Sequence, residues 1–336
     1  MDRKRIAIVG STGMVGRMFL KVLEERSIDA DYTLFSSKKS AGTVIDFLGC
    51  KHVVRELTKD SFNEDKYDIA LFSAGGATSL EYAPIAAKSG AIVIDNSSAW
   101  RMDTEVPLVV PEVNPDSIAD CHKKGIIANP NCSTIQAVLP LKALSDAIGL
   151  KRVIYSTYQA VSGAGLQGYM DLKNGLEGEK PQKFPYPIAG NCIPHIDVFL
   201  ENGYTREEQK MVDETRKILN LPTLPVTATA VRVPVYHGHS ESLNIELSRA
   251  FEMSEVFEAL KNMDGVKIVD DPSKNLYPMP ITAEDTDLVY VGRIRRDFSI
   301  ENGINLWCVS DNIRKGAATN AVQIAELLLK KWEEER

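Results

Sequence analysis

The chain has 336 residues, 44% of them hydrophobic and 25% charged, a composition of ordinary soluble globular proteins that excludes disorder and low complexity. The length exceeds the ~250–300 residues at which single cores stop growing, so two domains are expected. Lys and Arg total 39 against 46 Asp and Glu, a net charge of −7, which is no footprint for nucleic acid or an anionic membrane and leaves any anionic substrate to locally placed cations.

The basic start, Met1 to Arg5, precedes an apolar run that is too short for a signal peptide and ends in a glycine loop. No stretch approaches the ~18–20 apolar residues of a transmembrane helix. Residues 4–9 read as a short buried strand, and Gly10-Ser-Thr-Gly13-Met-Val-Gly16 leads into a helix through about Glu25. Glycines in this place let the backbone approach a pyrophosphate while the helix presents unpaired N–H groups. The spacing is G-x-x-G-x-x-G and not the commoner G-x-G-x-x-G, so a bare structural turn is the alternative. Strand-like runs follow at 31–35, 68–72 and 91–95, with a helix at 79–89, an alternation that favours a parallel sheet with helices on both faces. The second strand ends in Phe35-Ser36-Ser37-Lys38-Lys39-Ser40-Ala41-Gly42, without the acid that binds a ribose 2′-hydroxyl. Hydroxyls beside lysines suit a 2′-phosphate and therefore NADP; a solvated loop is the alternative.

After residue 130 the texture changes to a mixed α+β pattern. Helices are expected at 132–147, 205–219 and 253–262, and strands at 151–161, 225–233, 241–247, 287–294 and 303–309, with a Gly/Pro-rich segment at 174–194. A last helix at about 315–333 carries Ala318, Val322, Ala325, Leu328 and Leu329 on one stripe that needs a packing partner. No internal repeat is present. Five scattered cysteines, without C-x-x-C spacing, fit a reducing cytoplasm. Cys50, Cys121, Cys192 and Cys308 read as small buried hydrophobes. Cys132, in Asn129-Pro130-Asn131-Cys132-Ser133-Thr134, sits where a helix begins, and the dipole and free N–H groups there favour a thiolate. A nucleophilic cysteine needs a base. Of His52, His122, His195, His237 and His239, only the last two sit in a glycine-containing turn after a strand, and the residues alone leave the choice between them open.

The ordered motifs Gly-Ser-Thr-Gly-Met-Val-Gly, Val-Ile-Asp-Asn-Ser-Ser-Ala-Trp-Arg-Met-Asp, Asn-Pro-Asn-Cys-Ser-Thr, Ser-Thr-Tyr-Gln-Ala-Val-Ser-Gly-Ala-Gly, Arg-Val-Pro-Val-Tyr-His-Gly-His-Ser and Asp-Asn-Ile-Arg-Lys-Gly-Ala-Ala-Thr-Asn-Ala-Val-Gln resemble the aspartate-semialdehyde dehydrogenase family along nearly the whole chain. The resemblance implies Cys132 as the acyl-accepting nucleophile, His239 as the acid/base and Gln159 as a contact of the acyl group. It assigns the substrate carboxylate to Arg232 and the ammonium to Glu207, and phosphate to Arg101, Lys210 and Asn96. Cofactor contacts carry over to Thr12, Gly13, Met14, Val15, Ser40, Ala41, Ser162, Gly163 and Asn312, and the residues themselves add Gly10 of the glycine loop and Ser37 and Lys39 after the second strand. Lys39 stands where the family often has arginine, so a point charge replaces a planar fork.

The implied reaction is NADP-dependent reductive dephosphorylation of L-4-aspartyl phosphate to L-aspartate 4-semialdehyde through a cysteine thioester, without a metal, in the biosynthesis of lysine (through diaminopimelate), threonine, methionine and isoleucine. The implied fold is a doubly wound, Rossmann-type NADP-binding domain at 1–130 plus 312–336 and an α+β catalytic and dimerisation domain at 131–311. The active site is expected in the cleft between them, with oxyanion donors at the Cys132 helix start, in a homodimer or dimer of dimers. Bland alternatives exist: Glu207 and Lys210, at i and i+3, as a surface ion pair, and Arg101 paired with Asp103. Gln159 and Arg232 in an apolar run would be costly if buried without partners. An N-acetyl-glutamyl-phosphate reductase and a non-catalytic nucleotide-binding paralogue are the competing functions; retention of Cys132, Gln159, Arg232 and His239 argues against the second.

Overall fold

The computed structural model describes residues 3–63 and 65–335. Met1 and Asp2 of the basic start, and Arg336 at the end of the first expected domain, lie outside the described residues. Tertiary contacts divide the chain into two compact units, Met1–Pro130 with Ala317–Arg336, and Asn131–Gly316.

In the first unit the fully buried run Ile6 to Val9 makes β1 (Lys4–Val9) a central strand, covered on both faces. It is followed by α1 (Met14–Glu25), β2 (Ala30–Ser36), β3 (Val44–Phe47), β4 (Cys50–Val53), β5 (Arg55–Glu56), β6 (Ile69–Phe72), α2 (Gly76–Lys88), β7 (Ile92–Asp95) and β8 (Ile126–Ala128). The six-stranded sheet runs β5-β2-β1-β6-β7-β8, every pair parallel. The chain leaves β1 in one direction and returns on its other side, the doubly wound order whose ligand crevice lies beyond the carboxyl ends of β1 and β6. Phe19, Leu20, Val22 and Leu23 of α1 share a core with Ile6 and Ile8 and with Ala321, Val322, Ile324, Ala325 and Leu328 of the C-terminal helix, Asn320–Glu334. The apolar stripe of that helix therefore finds its partner in this unit, each buried large side chain adding about 1.5–3 kcal/mol.

Two departures have local causes. The antiparallel hairpin β3–β4 was not expected from the sequence. It turns through Leu48 (φ 51°) and Gly49 (φ 70°), the two left-handed residues of a type I′ turn, with Leu in place of the Asn or Gly that signals one. The last helix is regular only from Asn320; Arg314–Thr319 is a π-helix in which the Gly316 N–H reaches Asp311 O at 2.9 Å.

The second unit contains α3 (Cys132–Ala147), β9 (Leu150–Gln159), α4 (Gly165–Gly175), α5 (Arg206–Ile218), β10 (Val226–Arg232), β11 (His239–Leu247), α6 (Met253–Lys261), β12 (Val266–Ile268), α7 (Pro280–Ala283), β13 (Val289–Asp297) and β14 (Gly303–Ser310). Its sheet runs β10-β9-β11-β14-β13-β12, parallel at its two outer pairs and antiparallel between them, the mixed α+β pattern expected. Ser133 through Leu141 of α3 are all buried, as a helix enclosed on every side requires. α4 was not expected, since glycines begin, interrupt and end it. Gly168 is needed there: a Cβ would lie 2.7 Å from Ala164 Cβ and Val161 O. β11 starts at His239, two residues before the expected strand, which moves this histidine out of the turn and into the sheet. Among the described residues no helix is long and apolar enough to cross a membrane.

Candidate active site

The glycine loop fits a pyrophosphate. Gly10 has φ 87°, and a Cβ there would lie 2.3 Å from Ser73 O; a Cβ on Gly16 would lie 2.0 Å from Gly10 O. The turn is thus closed to any side chain, and the backbone presents itself bare. Gly13 caps α1 without a side-chain acceptor, so the amide groups of its first turn, at Met14 and Val15, remain available to an anion. The loop is tied to β2 by the N–H groups of Gly10 and Ser11, both on Phe35 O, and by a hydrogen bond between the Thr12 and Ser36 hydroxyls at 2.8 Å. Beyond β2, Ser37 to Ala41 form a turn closed by the N–H groups of Ser40 and Ala41 on Ser37 O. Ser37 and Lys39 are exposed, Ser40 and Ala41 half-buried.

Also in the first unit, Arg101 is 7% exposed. Its Nε donates to Asn129 O at 2.9 Å and its Nη2 to Asn96 O at 3.1 Å. Asn129 Nδ2 donates to Asn96 Oδ1, and Asn320 Nδ2 to Asn129 Oδ1. Arg101 and Asn96 are therefore brought together. Lys210, expected beside them, belongs to the second unit.

In the second unit Cys132 is the first residue of α3, half-buried, and Asn131 is its N-cap. Asn131 Oδ1 accepts from the N–H groups of Ser133 and Thr134 at 3.0 and 3.4 Å, so two of the oxyanion donors expected at this helix start are already engaged. The Asn131 N–H donates to Glu214 Oε2, and its Nδ2 donates to Glu207 Oε1 at 2.8 Å. Glu207 is a hub: its Oε1 also accepts from Gln159 Nε2 at 3.1 Å, and its Oε2 from Lys210 Nζ at 3.1 Å. Burial alone would raise the Glu207 carboxyl, but the Lys210 ammonium and the donors Asn131 and Gln159 outweigh it and hold the group at about 2. It is 5% exposed, a buried ionised carboxylate and not half of a surface pair. Lys210 Nζ is shared with Asp197 at 2.8 Å.

Gln159 and Arg232 end neighbouring parallel strands in direct register. Thr157 Oγ1 donates to Gln159 Oε1. Arg232 is buried, its Nη1 donates to Ala160 O at 2.6 Å, and its Nε is left without a partner. Burial lowers its affinity for the proton, and the charges of Glu207 and Cys132 nearby offset this only in part. His239 is fully buried, and its Nδ1 accepts the Ala160 N–H at 3.0 Å. That contact places the proton of the neutral imidazole on Nε2, which is buried without a partner. Burial, then the charge of Arg232, lowers His239 to about 3, so the ring is neutral at physiological pH. Gly163 leaves room for both groups: a Cβ would lie 3.0 Å from Arg232 Nη1 and 3.2 Å from His239 Nε2. Ser162 Oγ and the Asn312 amide meet at 3.1–3.3 Å, and Asn312 Oδ1 also accepts from Gly238 N–H. His237 remains in the turn, 4.0 Å from Glu284.

Cys50 and Cys192 are exposed, which corrects their reading as buried hydrophobes; Cys121 is half-buried and Cys308 buried, its thiol pushed well up by desolvation. The sequence reading did not single out Glu214, Gly316 or Glu241. Glu207, Lys210 and Glu214 stand at i, i+3 and i+7 on one face of α5, a spacing that could have revealed Glu214. Gly316 abuts the proposed nucleophile: a Cβ there would lie 2.9 Å from Cys132 Cβ. Glu241 is fully buried beside Ser133 and Gln136, its carboxyl pushed well above the usual range by desolvation. Among the described residues no three His, Cys, Asp or Glu side chains gather as metal ligands.

Two family models match the chain: the semialdehyde dehydrogenase NAD binding domain over residues 5–121 and the semialdehyde dehydrogenase dimerisation domain over residues 141–315. An aspartate-semialdehyde dehydrogenase of Aquifex aeolicus is 58% identical over 334 residues, covering 97% of this chain and 98% of the relative. One from Bacillus subtilis is 52% identical, covering 97% of each. Among solved structures, aspartate semialdehyde dehydrogenase II of Vibrio cholerae complexed with ASA has a TM-score of 0.93 at 46% identity, covering 98% of this chain and 99% of that one. The Candida albicans enzyme with NADP has a TM-score of 0.77 at 26% identity, covering 97% and 98%. These matches do not favour an N-acetyl-glutamyl-phosphate reductase or a non-catalytic paralogue. On sequence and on fold, the chain belongs to the aspartate-semialdehyde dehydrogenase family.

Proposed function

We propose that the chain reduces L-4-aspartyl phosphate to L-aspartate 4-semialdehyde with NADPH, in amino-acid biosynthesis in the cytoplasm, through a thioester on Cys132. The observation that carries this reading is the convergence on one helix start: Cys132 follows the Asn131 cap, and the cap is bonded to the same carboxylate that binds Gln159 and Lys210. A thiolate is favoured there by the dipole of α3.

Cys132 sulfur bonds to the acyl carbon, the bond from that carbon to the phosphate oxygen breaks, and phosphate leaves with the electron pair. Arg101, Asn96 and Lys210 are assigned to the phosphate. Arg232 takes the substrate carboxylate, for which its planar fork is suited. Glu207 takes the ammonium: its Oε2 carries one hydrogen bond, from Lys210, and has room for another donor. His239 works here as a donor and not as a base, because its proton sits on Nε2 while Nδ1 is held by Ala160. Its N–H meets the acyl oxygen as that atom gains charge, taking over from the engaged donors of the helix start. NADPH, when bound, supplies the hydride that brings the acyl group to the aldehyde level. As the C=O bond re-forms, Cys132 departs as thiolate.

Gly10, Thr12, Gly13, Met14 and Val15 are assigned to the pyrophosphate, Ser37, Lys39, Ser40 and Ala41 to the 2′-phosphate, and Ser162, Gly163 and Asn312 to the rest of the cofactor. The first unit is the NADP-binding domain on this reading, and the second carries catalysis and the homodimer contact, with a dimer of dimers as a further assembly. The test is NADP reduction with phosphate and either aspartate semialdehyde or N-acetylglutamate semialdehyde. Aspartate semialdehyde is expected to turn over faster by orders of magnitude; the reverse order would overturn the substrate assignment.

A further inference from the structure

Asp171, on α4, is nearly buried and makes no ion pair among the described residues. Its carboxylate instead collects three successive backbone N–H groups, from Gln182, Lys183 and Phe184, each at 2.8 Å. Three such donors bind a carboxylate strongly. Although burial opposes it, they hold the Asp171 carboxyl below its usual range. The Gly/Pro-rich segment after α4, otherwise without regular structure, is thus pinned at residues 182–184, apart from its pairing at Ile193 with Arg232.

What the nest aims is Phe184. Its ring packs with Val161, Leu172, Ile188 and Ile193 and lies over the guanidinium of Arg232, 5.9 Å from ring centre to Cζ. The backbone of Arg232 is itself fixed by paired hydrogen bonds with Ile193. An arginine kept for a carboxylate ligand faces a conflict. It must be dry for the ion pair to be strong, yet its in-plane N–H groups must stay open for the ligand. An aromatic face resolves this, because it stabilises the cation from above and uses none of its donors.

We propose that Phe184, aimed by the Asp171 nest, is a specificity-determining residue that keeps Arg232 desolvated and oriented for the substrate carboxylate. The proposal rests on the reading of Arg232 as the carboxylate binder, and its test separates the two. Cys132 is alkylated with iodoacetate and with iodoacetamide, near-isosteric reagents of which only the first bears a carboxylate, and the rates are read on the Cys132 peptide. Arg232 is close enough to Cys132 to sense its charge, so wild type is expected to favour iodoacetate relative to an Arg232→Leu variant. Phe184→Leu is expected to lower the iodoacetate-to-iodoacetamide ratio by about tenfold, and Phe184→Tyr to restore it. Asp171→Ala is expected to lower it likewise, and Asp171→Ala with Phe184→Leu no further than Phe184→Leu alone. General damage to the fold would change both reagents together and leave the ratio intact. A wild-type ratio in Phe184→Leu with a collapsed ratio in Arg232→Leu overturns the role of Phe184 alone. A wild-type ratio in Arg232→Leu overturns the reading of Arg232 and the proposal with it.

Discussion

Replacing Glu207 by glutamine keeps its shape and removes its charge, which isolates the electrostatic function of the hub. The carboxylate lies at about 2 against an ordinary 4.5. At about 1.4 kcal/mol per pH unit this corresponds to about 3 kcal/mol of folding stability. A depressed carboxyl contributes that stability in full above its unfolded value and loses it as the pH falls through the folded one. The window is therefore from about 4.5 down to about 2. Guanidinium unfolding, followed by Trp307 fluorescence in a background with Trp100 and Trp332 changed to phenylalanine, is expected to show Glu207→Gln less stable by about 3 kcal/mol at pH 7. The gap should hold to about pH 5 and narrow steadily below it, because protonated Glu207 and glutamine are then alike. A gap of the same size at pH 3 as at pH 7 would refute the reasoning and assign the cost to packing. The same variant should lose preference for aspartate semialdehyde over succinate semialdehyde, which lacks the ammonium.

Lys39→Glu is expected to raise the KM for NADP by about tenfold or more and to leave that for NAD nearly unchanged, since only the former brings a 2′-phosphate to this loop; equal effects would assign Lys39 to solvent. Gly316→Ala forces a Cβ to within 2.9 Å of Cys132 Cβ, so kcat is expected to fall by about tenfold to a hundredfold through displaced sulfur, with substrate KM less affected. A His239 held at about 3 stays neutral above about pH 5, so the rate profile should show no limb near 6.5 from this ring. His239→Gln, which keeps an N–H donor, should retain more activity than His239→Ala. A limb near 6.5 that both variants abolish would restore the histidine to a titrating role.

Much of the first unit is legible because its strands are short apolar runs bounded by glycine, and a buried parallel strand needs little else. The hairpin at Leu48 is hidden because its turn lacks the usual residues, and α4 because glycine argues against helix unless one sees the atoms that Gly168 must clear. The site divides in the same way. Cys132 at a helix start follows from local order, since Asn131 is a strong N-cap residue just before it. The pairing of Gln159 with Arg232 depends on the register of β9 and β10, which is a tertiary fact with no local signal. The neutral Nε2–H state of His239 depends on the Ala160 N–H, brought from another strand end. The resemblance names this histidine as the acid/base, and the Ala160 N–H on its Nδ1 is the ground on which a donor role is proposed for it instead.

The central claim is that the acyl group passes through Cys132. Protein mixed with aspartate semialdehyde and NADP, without phosphate, has no acceptor to release the thioester, so it is expected to produce a single-turnover burst of NADPH. After acid quench and peptide mapping, one aspartyl group should be found on the peptide bearing Cys132, and Cys132→Ala should show neither burst nor label. An aspartyl label on Cys50, Cys121, Cys192 or Cys308 in its place, or a full burst from Cys132→Ala, would contradict the account.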